Sequence, residues 1–476
     1  MEKQSVPIVD APSLPPPPTR DISFHYREVY RIVAETELAN GPGTGCKAGE
    51  EYVRSIYGSG LSLSEYLSLT SATAYINLYR HEGVITLRHI MPKEWTRRAI
   101  DDIWDNGILS LPWTDELKAE WQTIRESFRA DPWRVMSKAD ANRAIEIYPM
   151  TGGFGALTMP PAFHLATQWE ARQDPVMVTV GRALLVASGA IPQPVRPALD
   201  PTDPGVLVSL DRVSLKFPGQ GETEFCHWDS DPFSWPEEPY EGMQGILSLS
   251  NTSFRAVPRT HTEEFRQRFI ALYPQGKRKD QYHVLSQHDP LGLRKSVREY
   301  PLRPGDYVVW SNRLLHEARI NRTSFVRYGF FIQYIPAHLG PAPAVLDAHR
   351  PKKIVGKGKR KDKSADAPPE PDDALHAWYR DRQRSYETGG NPHTFPSGTT
   401  ISLYSQRSLM SHPQSLDTFC AMFTTPPTPY TYKTGKKKGQ VVNLPSGWNP
   451  LEEGSYTPPP LSELGQYLLL GSGEGK

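Results

Sequence analysis

Cysteine is scarce in this sequence: 476 residues hold three, Cys46, Cys226 and Cys420. So few, so widely spaced, exclude a disulfide framework and a paired-cysteine metal knuckle, and they suit a reducing compartment. Long apolar runs are missing as well. No window approaches the roughly 18 uncharged apolar residues of a membrane span, and the opening MEKQSVPIVDAPSLPPPPTRD lacks the apolar stretch of a signal peptide. The final GSGEGK is neither a peroxisomal tripeptide nor a prenylation box. An excess of charge is lacking too, with 54 Lys and Arg against 53 Asp and Glu. The overall balance thus gives no reason to expect a nucleic-acid or membrane partner. The expected location is cytoplasmic, with the basic run 352–363 leaving a nuclear alternative.

Proline is plentiful, at 46 residues, about twice ordinary usage. It gathers in the first twenty residues, in the stretch after residue 350 and in TPPTPY and TPPPL near the end. From about residue 205, GVLVSLDRVSLKF, TEFCHWD, GMQGILSLS, SFRAVP, DYVVWS and FVRYGFFIQYI follow one another as short β-rich runs between turn residues. Such spacing predicts a sandwich or jelly roll. The expected class is therefore α+β with a mainly β core, a double-stranded β-helix flanked by N-terminal helices and a loop-rich C-terminal extension. Its predicted parts are a disordered proline-rich arm (1–20), a helical part (21–204), the β core (205–345), a disordered basic and proline-rich linker (346–375) and the extension (376–476). Within the helical part, residues 76–108 read as strand, turn and helix. Trp113, Trp121, Trp133 and Trp169 read as packing anchors.

The stretch TEFCHWDSDPF places His227 and Asp229 two positions apart in a predicted strand. Residues i and i+2 project from one face, so the two side chains can meet at one ion while Cys226 and Trp228 point away. The plain alternative is a polar strand end, with Asp229 capping the turn before Pro232. A facial metal triad needs a second imidazole, and His316 supplies a candidate, in an apolar strand after a Pro-Gly-Asp turn. Eleven residues later comes Arg327, whose guanidinium can grip a carboxylate by two parallel hydrogen bonds. With a turn at INRTS, the His316 and Arg327 strands are expected to lie antiparallel and adjacent. Asp231 is a rival carboxylate. His261 and Glu263 open a helix instead, where helical geometry sends i and i+2 apart and Thr260 or Thr262 caps. GPGTGCKAGE has Cys46 and Ala48 where a phosphate loop needs Gly and Ser/Thr, and no strand precedes it.

The ordered set resembles the phytanoyl-CoA dioxygenase-like family of Fe(II)/2-oxoglutarate-dependent oxygenases. YRHEGVITLRHIMPKEWTRRAIDDI is similar to that family's opening strand and helix. LKFPGQGETEFCHWD resembles its Lys-bearing strand, turn and H-x-D strand. PLRPGDYVVWSNRLLHEARINRTSFVRYGFFIQYIPA resembles its distal His, Asn turn and Arg strand. The resemblance implies that His227, Asp229 and His316 are catalytic iron ligands and that Arg327 binds the far carboxylate of 2-oxoglutarate. Lys216 falls where some members place a second carboxylate contact. The implied partners are O2 and a small-molecule substrate, and the implied reaction is hydroxylation. Two other classes stay open: a non-catalytic jelly-roll binding or scaffold protein, and a metal-dependent cupin-type enzyme that leaves Arg327 without a role.

Overall fold

Alternation of apolar and polar residues along short strands gives each strand one face to bury, and the burial requires a second layer. The computed structural model describes residues 22–111, 113–147, 156–157, 162–192, 198–221, 225–235, 242–273, 283–339, 371–388, 427–431, 441–445 and 456–471. The helices ahead of the main strands are α1 (Ser23–Asn40), α2 (Thr44–Ile56), α3 (Leu63–Ala72), α4 (Tyr75–Glu82), α5 (Lys93–Asp102), α6 (Asp115–Arg129), α7 (Lys138–Ile147), α8 (Ala166–Arg172) and α9 (Pro175–Ala187). Interleaved with them are β1 (Val84–Leu87) and β2 (Ala156–Leu157). There follow β3 (Val206–Val208), β4 (Val213–Lys216), β5 (Phe225–Trp228), β6 (Met243–Ser248) and β7 (Thr252–Ala256). After α10 (Glu263–Leu272) come β8 (His283–Val284), β9 (Arg298–Leu302), β10 (Tyr307–Ser311), β11 (His316–Ala318), β12 (Arg327–Phe331) and β13 (Tyr334–Pro336).

The strands form a six-stranded sheet, ordered β1-β10-β6-β12-β4-β2, and a five-stranded sheet, ordered β8-β5-β11-β7-β9. Every pairing in both is antiparallel. The six-stranded sheet turns Val213, Leu215, Met243, Leu247, Tyr307, Val309, Tyr328 and Phe330 into the largest core, shared with α1, α5 and α9. The five-stranded sheet buries Cys226 and Trp228 outward against Phe269 of α10. The opposite strand faces look at each other across the sandwich.

Two elements depart from the sequence expectations. The strand, turn and helix read in 76–108 fall at β1 and α5, but residues 76 up to Gly83 are helical: Ile76 and Tyr79 sit one turn apart and both are buried. Gly83 ends that helix in the left-handed region, φ 75°, where glycine carries no Cβ penalty. Residues 298–302, REYPL, form β9 without an alternating signal. As an edge strand it tolerates Pro301, which cannot donate to the ladder. The six-stranded sheet also takes β1 and β2 from outside 205–345.

Trp113, Trp121 and Trp169 are buried, and Trp133 is half-buried, its indole N–H donating to the Leu249 carbonyl at 2.8 Å. Thr262 caps α10 by accepting from Phe265 N. The imitation phosphate loop is the start of α2, whose Gly45 and Gly49 let α1 pack closely at Val33. The C-terminal part supplies α11 (Pro371–Thr388), a hairpin of β14 (Pro427–Thr431) and β15 (Val441–Pro445), and α12 (Glu463–Leu470). Residues 1–20 and residues 346–370 of the predicted linker lie outside the described residues, whereas residues 371–375, expected to be disordered, are the first residues of α11. Among the described residues no helix is long and apolar enough to cross a membrane.

Candidate metal centre

In β5, Cys226 and Trp228 face the outer cluster, so alternation turns His227 and the following Asp229 inward. His316 opens β11 directly opposite His227 in the ladder, and the two imidazole rings lie 4.3 Å apart between centroids. Asp229 closes the group, with Oδ1 3.4 Å from His227 Nε2 and Oδ2 3.4 Å from His316 Nε2. One donor atom from each of the three lies within 4.8 Å of the others, and the group can hold a metal ion.

The donor chemistry fits a divalent transition metal. Nδ1 of His316 is 3.0 Å from the Leu314 carbonyl, so an N–H donated there leaves the Nε2 lone pair for an ion, the usual outer support of a metal-binding histidine. Burial and the neighbouring His227 push the His316 imidazole down to about 4, which keeps it neutral at pH 7. Loss of water would raise the Asp229 carboxyl, but His316, His227 and a hydrogen bond from Gln244 outweigh it and bring it down to about 2. Oδ2 of Asp229 is buried without a hydrogen-bond partner. Such an orphaned acceptor is costly unless something positive sits against it. Two imidazoles and one carboxylate leave coordination positions open, as in the facial triad.

The wall around the triad is aromatic. Phe254 stacks on Trp310 at 4.4 Å, and Trp310 lies 5.5 Å from His316 between ring centroids. Neither residue, nor Gln244, carried a motif. Their only sequence signal is parity, since each occupies an inward position of its strand.

Arg327 does not lie beside His316. β11 pairs with β5 and β7, whereas β12 pairs with β4 and β6 in the opposite sheet. The chain between them crosses the sandwich at a turn held by Asn321, whose Nδ2 donates to the carbonyls of Lys216 (3.0 Å) and Phe325 (2.7 Å). Sequence separation cannot distinguish a hairpin within one sheet from a crossing between two. Arg327 still projects inward, because Tyr328 and Phe330 take the helix side. It pairs in register with Lys216, whose Nζ donates to the Arg319 carbonyl at 3.1 Å. Burial pushes the guanidinium down, with Glu299 acting against it at longer range, and Arg327 Nε has no hydrogen-bond partner among the described residues. Two cations opposite each other on adjacent strands repel, unless an anion joins them.

Asp231 is not part of the triad; its Oδ1 lies 3.4 Å from His283 Nδ1. His261 packs against Gly83, with Nε2 3.2 Å from the Arg80 carbonyl.

Residues 170–329 match the family model of phytanoyl-CoA dioxygenase. No curated protein matches the chain. Solved structures with a similar arrangement include EctD from S. alaskensis with 2-oxoglutarate and 5-hydroxyectoine, at 15% identity and TM-score 0.31, covering 55% of this chain and 75% of that one. The epimerase SnoN in complex with Fe3+, alpha ketoglutarate and nogalamycin RO is 12% identical, TM-score 0.29, with 55% and 82% covered. GIG2 from Candida albicans is 13% identical, TM-score 0.33, with 66% and 73% covered.

Proposed function

We propose that the protein is an Fe(II)- and 2-oxoglutarate-dependent dioxygenase that hydroxylates a small organic molecule. The observation that carries this reading is the half-buried Arg327 guanidinium, whose buried Nε has no hydrogen-bond partner among the described residues, in the sheet opposite the His227, Asp229 and His316 donors. A metal site alone does not need that cation. A co-substrate that chelates the metal at one end and carries a carboxylate at the other does.

His227, Asp229 and His316 would hold the iron, and Arg327, with Lys216 beside it, would hold the distal carboxylate. Iron with bound 2-oxoglutarate supplies dioxygen activation coupled to decarboxylation to succinate. The chain's own part is geometric and electrostatic. The neutral imidazole of His316 and the ionised Asp229 need no deprotonation at neutral pH before binding a cation. The Phe254 and Trp310 wall keeps one side of the triad dry. With iron bound, the Asp229 carboxylate would take a ligand position that a halide would otherwise need, which favours hydroxylation over halogen transfer.

The test is an anaerobic titration with Fe(II) and then 2-oxoglutarate, followed by the weak visible charge-transfer band. The expected result is a band that requires both additions, and succinate release once oxygen is admitted. Iron binding without any 2-oxoglutarate binding would refute the reading in favour of a simple metal jelly roll.

A further inference from the structure

We propose that Gln333 recognises the substrate of this site through a neutral amide, a primary carboxamide or a lactam; this rests on the oxygenase reading above. Tyr328, Phe330, Ile332 and Tyr334 all turn to the helix side, so alternation sends Arg327, Gly329, Phe331 and Gln333 into the sandwich. Phe331 pairs with Ile246, and the Ile332 N–H donates to the Gly245 carbonyl at 3.0 Å. The next residue, Gln333, therefore comes alongside Gln244, which is inward because its neighbour Met243 belongs to the helix-side core. On the other flank of Gln244 stands Trp310, its partner in the β10–β6 ladder. Trp310, Gln244 and Gln333 thus make one row of hydrogen-bonding side chains facing the five-stranded sheet.

The row reaches the metal group. Gln244 hydrogen-bonds the Asp229 carboxylate, and the Trp310 ring lies 5.5 Å from that of His316. Here, too, the interior is open. Gln244, Ile246, Phe331 and Gln333 face inward yet are only half-buried, whereas Val308 and Trp310 on β10 are sealed at 0% and 2% exposure. A solute entering over β6 and β12 meets Gln333 beside the triad.

Gln244 is engaged with Asp229, but the ends of the row are uncommitted. The Gln333 carboxamide makes no hydrogen bond to another of the described residues, and the buried Trp310 indole N–H has no partner among them. A carboxamide offers a donor and an acceptor side by side in one plane. The group that matches both is another amide with its N–H and C=O on one edge, as in primary amides and lactams. Charge at this level does not favour an acid. Arg212 already faces the Asp211 carboxylate at 3.6 Å, and Asp229 would repel a second carboxylate. An ionised acid also has no N–H to give the Gln333 oxygen.

The experiment uses the full chain loaded anaerobically with Fe(II) and 2-oxoglutarate, and binding is read from perturbation of the visible band. The probes are hexanamide, benzamide and valerolactam, each beside its fully N-methylated form, and the two open amides beside their acids as well. The expected result is a preference of about tenfold or more for at least one amide over its N-methylated form and its acid. A site built around a hydrogen bond rejects a partner that leaves the bond unmade. Gln333→Leu should abolish that preference while iron and 2-oxoglutarate still bind. Gln333→Glu, which keeps the shape and removes the donor, should weaken amide binding several-fold. A wild-type protein with no preference for any of the three amides, or a Gln333→Leu variant that retains the preference, overturns the proposal. Failure of the wild-type chain to bind iron or 2-oxoglutarate at all overturns the oxygenase reading, and amide recognition with it.

Discussion

At the scale of single residues, the proposed function divides the site into a metal half and an anion half, and substitutions should divide accordingly. Arg327→Ala changes no donor of the triad, so Fe(II) affinity should stay nearly intact. Affinity for 2-oxoglutarate should fall by about 2–5 kcal/mol, the usual cost of deleting one partner of a desolvated charge pair. Arg327→Lys should recover only part, because an ammonium cannot reproduce a forked contact. Asp229→Ala should do the reverse and cut iron affinity by more than about 100-fold, the upper end seen for loss of a mere outer-shell partner. Separate titrations of each variant with each ligand check both statements, and equal losses in Arg327→Ala would mean that the residue supports the fold. The same residues set a pH dependence. His316 is held at about 4, against roughly 6.5 in an unfolded chain. Between those values the unfolded chain binds more protons, so stability of the metal-free protein should fall as pH drops from about 6.5 to about 4. Asp229, held at about 2, acts in the same sense lower down: its contribution is complete above roughly 4 and lost towards about 2. Urea midpoints across this range should decline in the wild-type protein and flatten above pH 4 in His316→Gln.

At the scale of elements, short connections decide where the strands deliver their residues. The Pro-Gly-Asp turn before β10 is one. Gly305 has φ 89° and its Cα faces the Met91 carbonyl so closely that a Cβ would collide with it. Asp306 beside it pairs with Arg88 at 2.5 Å and accepts from the backbone of His89 at 3.0 Å. The turn thereby ties β10, which carries Trp310, to the end of β1. Gly305→Ala should destabilise the fold by about 1–3 kcal/mol, the range for a residue forced into left-handed backbone, with the urea midpoint as the measure. Part of this organisation is legible in the sequence: the Pro-Gly-Asp turn, the Asn321 turn and the alternation that sends His227 inward and Trp228 outward are local rules. The sheet to which β12 belongs is not local. His316 and Arg327 read as partners in one hairpin, yet they lie in opposite sheets, because turn residues set a reversal and not the layer to which the chain returns.

At the scale of the whole molecule, the C-terminal part is bound into the core that carries the site. Trp378 of α11 is fully buried with Leu207 of β3, Ile335 of β13 and Tyr467 of α12. Arg382 donates to the carbonyls of Val208 (2.7 Å), Leu468 (3.1 Å) and Leu469 (2.7 Å). Through β3 this support reaches the segment holding Asp211 and Arg212. Trp378→Ala should therefore cost about 3–5 kcal/mol, as for other buried Trp truncations, and should lower Tm clearly. An unchanged Tm on that substitution would mean that the extension is a passenger. The sequence by itself determined the β-rich middle, the inward pairing of His227 with Asp229 and the candidacy of His316, Arg327 and Lys216, since strand parity, turn chemistry and ordered motifs act over a few residues. Only the tertiary structure decided that the imidazoles meet across one ladder, that Arg327 projects inward from the other sheet, and that Gln244 and Trp310 join the metal group. Those relations depend on which strands pair and how two sheets stack, and long-range packing energy fixes that with no trace in the spacing of the residues.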